Sequence, residues 1–323
     1  MICLLSLKGF MVSLMGNKPK IDEPSPWIQI AGHMDCFVPF ENNRKVAKAI
    51  KEDRSEYNNY VLIDENDALF AFLPPFHGLL EEKIKLQIDS AIHKHDEWLV
   101  LSNVLTGYIE PVVMDVKMGK ETCGAKQYHV KMTKRRDLFE KFCDLEFPLE
   151  LLSEDEIRDQ AVSKFRYAEL RDKISTTSQY GFRIEASNLD GFKKKDYVKA
   201  NSLQQSQDIC RKFSNHISES QLKQIVARLK TFRNCVLKSK FCQTHQLIGS
   251  SLLIAFDRHV DHSDVCGVWL IDLFQATQVS LNQESNGENC TSSSFIASRN
   301  CNIAIIEGAS NLSHLFENIL NAT

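Results

Sequence analysis

The chain lacks the features that mark several common classes of protein. No uninterrupted apolar run reaches the roughly 18 residues that a membrane-spanning helix needs, so we expect no stable membrane insertion. Its ten cysteines include no CxxC pair and no regular spacing, which indicates neither a zinc site nor a disulfide framework. The net charge of −3 does not indicate a general nucleic-acid binder. We therefore expect reduced thiols, a cytoplasmic location (with the nucleus as an alternative) and no nucleic-acid partner.

What is present is the composition of an ordinary globular enzyme. Hydrophobic residues make up 43% of the chain and charged residues 25%, and 323 residues leave room for two lobes and a sizeable core. The first 15 residues are apolar but are split by Lys8, and they have neither a basic opening region nor a clear cleavage site. We interpret residues 1–25 as a disordered or weakly amphipathic extension rather than as a signal peptide.

Residues 111–119 place a carboxylate, an ammonium group and a glycine at intervals of two. If residues 112–116 form a strand, Asp115 and Lys117 point to the same face, and Gly119 permits a tight turn or a close approach to a ligand. Such a pair suits phosphoryl transfer, where the acid orients a hydroxyl and the lysine neutralises phosphate charge. A buried structural ion pair would show the same spacing, so this motif alone leaves both interpretations open.

Two apolar segments downstream carry polar groups. Residues 247–256 predict a buried strand interrupted by the hydroxyls of Ser250 and Ser251, and residues 268–272 form an apolar run that ends on Asp272. A carboxylate at the end of a hydrophobic strand suits Mg²⁺, which prefers one or two carboxylates together with substrate phosphates. An isolated Asp at this position would more simply be a turn or helix-cap residue.

The small lobe is predicted to span residues 26–110. The alternation at 27–33 predicts a strand, and residues 74–78 predict a turn or loop. The apolar run at 98–105 predicts a strand that leads into a hinge between the lobes.

The large lobe is predicted to span residues 111–323, including a cation-rich insertion at 131–200. Helices are predicted near 202–213 and 220–237, and the second carries an apolar stripe at helical spacing that is typical of core packing. Residues 282–294 are rich in Asn and Ser and predict a flexible loop.

Three segments taken together resemble the signature segments of the inositol polyphosphate kinase family. They read Asp-Val-Lys-Met-Gly at 115–119, Gly-Ser-Ser-Leu-Leu at 249–253 and Ile-Asp-Leu at 271–273. Between them, segments within 161–185 are similar to the inositol-binding segment of the inositol 1,4,5-trisphosphate 3-kinase branch. The similarity extends from about residue 27 to residue 277, and the segments before and after it match poorly.

The resemblance implies an α+β, bilobal fold, related in outline to protein kinases and SAICAR synthase, with a helical inositol-binding insertion. ATP would lie between an antiparallel small-lobe sheet and the large lobe, with Mg²⁺ (or Mn²⁺) as the metal cofactor. The resemblance implies Lys48 as the ligand of ATP phosphates, with Lys45 and Lys51 as alternatives that the alignment leaves open. The implied hinge contacts to the nucleotide are Ser102, Asn103 and Val104.

The same resemblance implies roles at the reacting groups. Asp115 would lie at the nucleotide and catalytic centre, and Lys117 would bridge the substrate and the transferred phosphate. Asp272 would hold the metal, with Ser251 nearby as a second ligand.

Cations of the insertion are the candidate ligands of the inositol phosphate. Guanidinium forks engage phosphate oxygens bidentately, although each such residue alone is more simply a solvated side chain. The resemblance implies Arg135, Lys164 and Arg171 as ligands, followed by Arg136 and Lys131. Calmodulin control occurs in this branch, and residues 134–142 are basic and apolar enough for a target helix. The acidic residues interleaved there favour a helix of the substrate lobe instead.

The chain departs from the family pattern at several positions. Phe274 and Gln275 replace a glycine and a lysine after the metal-binding strand, and Phe cannot readily adopt the positive φ that Gly permits. Asn103 stands where the family usually has Asp. The asparagine keeps the capacity for hydrogen bonding but carries no charge. Asn188 stands where the family has a basic residue.

The function that follows is ATP-dependent phosphorylation of inositol 1,4,5-trisphosphate at its 3-hydroxyl, in calcium and inositol phosphate signalling. The long insertion favours this selective kinase over a broader inositol polyphosphate multikinase or hexakisphosphate kinase. The altered segment at 273–275 favours a degenerate protein that binds inositol phosphates without turnover. Retention of Asp115, Lys117 and Asp272 favours the active enzyme.

Overall fold

The computed structural model describes residues 24–30, 34–50, 54–85, 95–124, 132–189, 197–278 and 293–322, with side chains of the last range described from residue 302. Some predictions made above therefore lie outside the described residues. These are residues 1–23 of the extension predicted at 1–25, the candidate cations Lys51 and Lys131, and residues 282–292 of the loop predicted at 282–294. Residues 293 and 294 of that predicted loop begin a helix instead.

The small lobe is built on an antiparallel sheet of four strands. They are β1 (Phe37–Phe40), β2 (Lys45–Ile50), β3 (Phe76–Leu79) and β4 (Glu97–Ser102), in the spatial order β1-β2-β4-β3. Helices α1 (Ser55–Leu62) and α2 (Glu82–Lys85) accompany the sheet. The sheet agrees with the expected antiparallel small lobe, and β4 ends where the hinge was predicted to begin.

Two local predictions in this lobe are wrong. Residues 27–30 form no strand, because Ile28 and Ile30 pack against a cluster around Leu105 and no neighbouring strand pairs with this segment in the described chain. Residues 76–78 belong to the edge strand β3 rather than to a loop, because the chain after the two prolines pairs with β4. An edge position suits a segment that follows proline, since proline cannot donate to a ladder.

The large lobe contains a second antiparallel sheet of four strands. They are β5 (Pro111–Met118), β8 (Phe182–Ser187), β10 (Ser251–Asp257) and β11 (Cys266–Ile271), in the order β11-β10-β5-β8. The strands predicted at 112–116 and 268–272 are confirmed, and β10 forms the later part of the strand predicted at 247–256. The sheet brings the ends of β5, β10 and β11 side by side, so it gathers the three signature segments at one place.

Helices cover this second sheet. They are α7 (Leu203–Phe213), α8 (Glu219–Lys238), the short α9 (Lys240–Thr244) and the long α10 (Ser293–Leu320). Ser218 and Gln221 form a capping box that starts α8, and the apolar stripe of α8 is buried as predicted. Helix α10 packs along α8, so the C-terminal segment is part of the large lobe. Two-stranded pairing of β9 (His245–Gln246) with β12 (Thr277–Gln278) lies beside these helices.

The insertion forms a small helical unit with a hydrophobic cluster of its own. It comprises β6 (Lys134–Arg135), α3 (Arg136–Asp144), α4 (Glu154–Asp159), β7 (Val162–Ser163), α5 (Lys164–Ile174) and α6 (Thr177–Tyr180). Leu138 and Phe142 turn the apolar face of α3 into that cluster. A calmodulin-binding helix would need this face free, so the packing agrees with a helix of the substrate lobe.

The main hydrophobic cluster crosses from one lobe to the other. Small-lobe residues such as Leu99 and Phe72 join the same cluster as Met114, Leu270 and Phe232 of the large lobe. Within the described ranges, no helix combines the length and the apolar character needed to cross a membrane.

Candidate active site

A cavity of about 170 Å³ lies between the two lobes and contains most of the predicted nucleotide-site residues. Its lining includes Lys48 of β2, the hinge residues Ser102, Asn103 and Val104, and the acids Asp115 and Asp272. The other lining residues are mainly apolar and come from both lobes: Trp27, Ile28, Gln29, Ile30, Phe37, Val46, Tyr60, Pro74, Leu101, Leu105, Leu253 and Ile271. An apolar slot with a few convergent polar groups has the character of a ligand site.

Asp272 joins two lysines that belong to different lobes. Its Oδ1 accepts a hydrogen bond from the Lys48 Nζ at 2.8 Å, and its Oδ2 accepts one from the Lys117 Nζ at 3.0 Å. Burial opposes ionisation of this carboxyl, but the two ammonium groups outweigh it and hold the pKa of Asp272 well below its usual range. Asp272 is therefore a carboxylate at any physiological pH.

The backbone at Asp272 explains how the chain tolerates Phe274. Asp272 itself adopts the left-handed conformation, with φ of 63°, and residues Leu273–Gln275 follow as a short 3₁₀ turn. Asp is among the few non-glycine residues that tolerate this region. Phe274 is not required to take a positive φ, and its side chain is 38% exposed. The expected conflict at this position is therefore absent.

Two residues that the sequence analysis did not single out support this arrangement. The Lys48 Nζ also donates to Glu56 Oε1 of α1 at 2.6 Å, so Lys48 lies between two carboxylates. The Asn59 amide donates to the carbonyls of Leu273 and Ala276, which fixes the turn after Asp272. The only signal in the sequence is that these two polar residues lie one turn apart on α1. The helix is so polar that its sequence does not show that they are buried.

The choice among the three candidate small-lobe lysines is narrowed by position. Lys48 lines the cavity and its pKa is raised: burial acts against the charge, but the carboxylates of Asp272 and Glu56 prevail. Lys45 instead forms a surface ion pair with Glu41 at 2.9 Å. Lys51 lies outside the described residues.

Asp115 and Lys117 lie on the same face of β5, as their spacing predicts. Lys117 donates to Gly249 O at 3.0 Å as well as to Asp272. Burial opposes the charge of Lys117, but the carboxylates of Asp272 and Asp115 outweigh it and raise the pKa of Lys117. Asp115 is only 3% exposed, and burial raises the pKa of its carboxyl to about 6, with Lys117 acting in the opposite direction. Its Oδ1 has no hydrogen-bond partner among the described residues.

Glycine is required where Lys117 meets the next strand. Gly249 has φ of +68°, and a Cβ there would lie 2.7 Å from the Gln275 Nε2 and 3.0 Å from Thr122 O. Gln275, which stands in place of the family's lysine, is buried and directs its amide toward Thr122 O. Its side chain therefore fills space behind Gly249.

The oxygen donors beside Lys117 suit a divalent cation. Ser251 lies directly opposite Lys117 in the β5–β10 ladder, and its buried hydroxyl lies close enough to the Asp115 carboxyl to lower the pKa of that group. With Asp272 and the unpartnered Asp115 Oδ1, it forms a set of hard oxygen donors of the kind that Mg²⁺ and Mn²⁺ prefer. No cluster of three or more His, Cys, Asp or Glu in the described ranges could hold a metal by itself. A site with one or two carboxylates that is completed by nucleotide phosphates does not need one.

The predicted substrate cations divide into a buried and an exposed group. Arg171 is 5% exposed and pairs with Glu185 Oε2 at 3.2 Å; Glu185 also accepts from Arg183 at 3.0 Å. Glu185 is the extra residue of a β-bulge, since Asp115 pairs with Ala186 and Val116 pairs with Ile184.

The exposed cations lie on or next to the short ladder between β6 and β7. Arg135 of β6 pairs with Val162 of β7, two residues before Lys164, so both cations lie at the surface of the insertion. Lys164 and Arg171 lie two turns apart on α5 and hence on the same face. Arg136, at the start of α3, is exposed as well.

Two departures from the family pattern have structural partners. Asn188 accepts from Val113 N at 2.7 Å and donates to Pro111 O at 2.9 Å, so it holds the start of β5. Asn103 donates through its amide to the carbonyls of Pro26 and Asn43, so both of its N–H groups are already used.

Comparison with known proteins identifies the family. The family model described as inositol polyphosphate kinase matches residues 98–317, which is more than half of the chain. The chain belongs to the inositol polyphosphate kinase family. The match extends through most of α10, so the expectation that the segment after about residue 277 matches the family poorly is wrong for this helix.

Several members of the family are similar in sequence. The inositol-trisphosphate 3-kinase homolog of Caenorhabditis elegans is 28% identical over 263 residues, which is 78% of this chain and 48% of the relative. Human inositol-trisphosphate 3-kinases A and B are 31% and 30% identical over 258 residues, 78% of this chain and 51% and 25% of those proteins. This kinase thus spans about half or less of the length of these curated relatives.

A solved structure confirms the fold. The inositol phosphate multikinase Ipk2 of S. cerevisiae, solved in complex with ADP and Mn²⁺, superposes with a TM-score of 0.54 at 18% identity, covering 85% of this chain and 99% of that one. The predicted α+β inositol polyphosphate kinase fold is therefore confirmed, and at this identity the likeness concerns the fold alone.

Proposed function

We propose that this kinase transfers the γ-phosphoryl group of ATP to the 3-hydroxyl of inositol 1,4,5-trisphosphate, giving the 1,3,4,5-tetrakisphosphate. The observation that carries the proposal is Asp272, held between Lys48 and Lys117 beside the buried Asp115 in the interlobe cavity. The sequence likeness to the trisphosphate 3-kinases supports the choice of substrate. The reaction would remove a messenger that releases calcium, in the cytoplasm or nucleus.

The residues of the chain suit the separate parts of this reaction. The apolar slot at the hinge accommodates adenine, and Lys48 meets the phosphates. Asp115, with a pKa of about 6, can orient the attacking hydroxyl and accept its proton near neutral pH. Lys117 lies where it can offset charge on the transferred group, and such fixed charges account for most of the rate of phosphoryl transfer. Asp272, with Ser251 beside it, would hold Mg²⁺ or Mn²⁺, which would neutralise phosphate charge when bound.

The insertion supplies cations for the inositol phosphates. Arg135 is exposed on the β6–β7 ladder, Lys164 is exposed at the start of α5 directly after β7, and Arg171 is held in a fixed position by Glu185. Fixed guanidinium groups lose little freedom when they bind phosphate, which favours a compact ligand with several dianionic groups.

A degenerate binding protein is the second candidate, and the replacements at Phe274 and Gln275 favour it. Against it, the turn that contains them holds Asp272 on both lysines, and Phe274 points away from the core. The acid and the two cations that the reaction needs are thus in contact.

The test is incubation of the purified protein with Mg²⁺-ATP and a panel of inositol phosphates, followed by assignment of the product isomer. Asp272→Asn should abolish product formation, whereas the matched control Asp261→Asn, whose side chain is 82% exposed, should not. Arg135→Ala should raise the KM for the inositol phosphate about tenfold and leave the KM for ATP unchanged. Arg158→Ala, an exposed arginine in the same insertion, is its control.

Each outcome of this assay assigns the chain. The 1,3,4,5-tetrakisphosphate as main product supports the proposal. Preference for more highly phosphorylated inositols would move the chain to a multikinase or hexakisphosphate kinase. Folded protein that binds inositol phosphate but turns over none of the panel would establish the binding protein.

A further inference from the structure

One wall of the cavity is formed by a segment with no regular secondary structure. Residues 24–30, here called the strap, precede β1, and four consecutive strap residues (Trp27, Ile28, Gln29 and Ile30) line the cavity. A segment outside any strand ladder or helix is held in position by other hydrogen bonds, because its backbone groups would otherwise bond to water.

Asn103 makes the main side-chain hydrogen bonds that hold the strap in position. Its amide nitrogen donates to Pro26 O of the strap at 2.9 Å and to Asn43 O of the β1–β2 turn at 2.7 Å. Its Oδ1 accepts from Leu105 N at 3.0 Å. One side chain at the hinge therefore joins the hinge, the small-lobe turn and the strap.

A second asparagine fastens the same end of the strap. The Asn43 amide donates to Ser25 O at 3.0 Å, and Ser25 N donates to Asn42 O at 2.8 Å. Asn43 has φ of 58°, a left-handed conformation that Asn and Asp tolerate better than most residues. The turn thus presents its carbonyls and one side chain to the strap in a fixed geometry.

The other end of the strap rests on the large lobe. Ile28 and Ile30 pack against a buried cluster that includes Leu105 of the hinge and Val113 and Ala255 of the second sheet. The strap therefore touches the hinge and both lobes around the cavity.

The chemistry at position 103 calls for an amide. Asn103 is 5% exposed, and both acceptors of its nitrogen are carbonyl oxygens. A carboxylate of the same shape would place a negative charge against two oxygens and would donate to neither. A buried group left with such contacts is destabilised, because it has lost its hydration and gains no hydrogen bond in return.

We propose that Asn103 is a positioning residue that sets nucleotide affinity by fastening the strap as a wall of the cavity, without contacting the nucleotide through its amide. This inference rests on the proposed function only in taking the cavity as the nucleotide site. When the fastening is lost, the strap leaves its place for part of the time, and the apparent affinity falls by the fraction of molecules that remain competent.

Binding of a non-hydrolysable ATP analogue with Mg²⁺, without any inositol phosphate, measures this effect by calorimetry. Asn103→Asp and Asn43→Asp should each raise the Kd about tenfold, and chymotryptic cleavage after Trp27 should accelerate in both variants. Asn321→Asp, exposed near the end of α10, is the matched control and should behave as wild type. In turnover, Asn103→Asp should raise the KM for ATP and leave the KM for the inositol phosphate unchanged.

The results separate this inference from the proposed function. An unchanged Kd and unchanged cleavage in Asn103→Asp overturn the inference alone. An equal rise of both KM values with lower overall stability also overturns it, because a general loss of structure would then explain both. Wild-type protein that binds the analogue but phosphorylates no inositol phosphate overturns the proposed function, and weaker binding by the two variants would still support the strap.

Discussion

At the residue scale, the site depends on the carboxylate of Asp272, a residue with an unusual, left-handed backbone conformation. Asp272 follows the last residue of β11 in a left-handed conformation and receives one lysine from each lobe. Any shift of one lobe against the other changes the distance from Lys48 to Lys117, so Asp272 links the relative position of the lobes to the chemistry.

Lys117→Met tests the role of the large-lobe cation. We expect kcat to fall by about 10²–10³-fold, because a preorganised charge at the transferred phosphate is lost, while the thermal midpoint changes little. Lys120→Met is the control, since Lys120 pairs with Glu307 at the surface three residues further on. Comparable losses of rate in the two variants would contradict the role assigned to Lys117.

Asp115→Asn tests the cost of burying an acid. The folded pKa of Asp115, about 6, lies above its usual value of 3.8, so the folded protein binds this proton more tightly than the unfolded chain. The charged carboxylate therefore lowers the free energy of unfolding above about pH 6, and this cost vanishes as the pH falls toward 4.

The amide should remove that cost. Asp115→Asn is expected to raise the thermal midpoint at pH 7.5 by several degrees, to have little effect at pH 4, and to lose activity at both. Thermal melts of both proteins across this pH range provide the measurement. A variant that is less stable than wild type at pH 7.5 would show that Asp115 forms a favourable buried ion pair instead.

At the scale of elements, the last helix meets the catalytic sheet through two glycines. A Cβ on Gly308 of α10 would lie 1.9 Å from Gly181 O, and Gly181 itself has φ of +73° just before β8. Since β8 carries Arg183 and Glu185, close packing of α10 sets where the buried charges lie. The described part of α10 thus supports the site through its packing against the backbone at Gly181.

Gly308→Ala separates packing from helix propensity. Propensity alone predicts that Ala stabilises a helix interior by about 1 kcal/mol, whereas a clash with Gly181 predicts a loss of about 1–3 kcal/mol. We expect the loss, measured by urea unfolding. His314→Ala, at a position of α10 where the side chain is 71% exposed, should show no such loss. A more stable Gly308→Ala protein would mean that α10 can move away from β8 freely.

At the scale of the whole molecule, the lobes share one core. Phe72, after α1 in the small lobe, contacts Phe232 of α8 edge to face with ring centroids 5.3 Å apart, and both are almost completely buried. Proteins whose lobes share a continuous core are expected to unfold cooperatively.

Calorimetry of wild type and Phe72→Ala tests this coupling. We expect one transition in both proteins, with the variant less stable by about 3–5 kcal/mol because a buried ring is lost from the joint core. Phe70→Ala, two residues away and 46% exposed, is the control. Two separate transitions in either protein would show that the lobes fold as independent units.

Periodicity and local motifs were sufficient for several regular elements of the fold. The apolar stripe of α8, the alternation around Asp115 and the run that ends on Asp272 each depend on neighbours close in sequence, and all three elements are present. The secondary structure predicted for residues 27–30 and 76–78 was wrong because a strand needs a neighbouring strand to pair with, and tertiary packing determines which segments become neighbours.

The sequence by itself determined the family and the residue types that phosphoryl transfer requires, since these follow from short motifs whose order along the chain is specific. Only the tertiary structure decided how these residues act on one another. It selected Lys48 over Lys45, added Glu56 and Asn59, and used Asn103 and Asn188 to hold backbone. The physical reason is that hydrogen bonds and burial depend on which segments meet in space, and residues as far apart as 48 and 272 meet only when the lobes close on a common core.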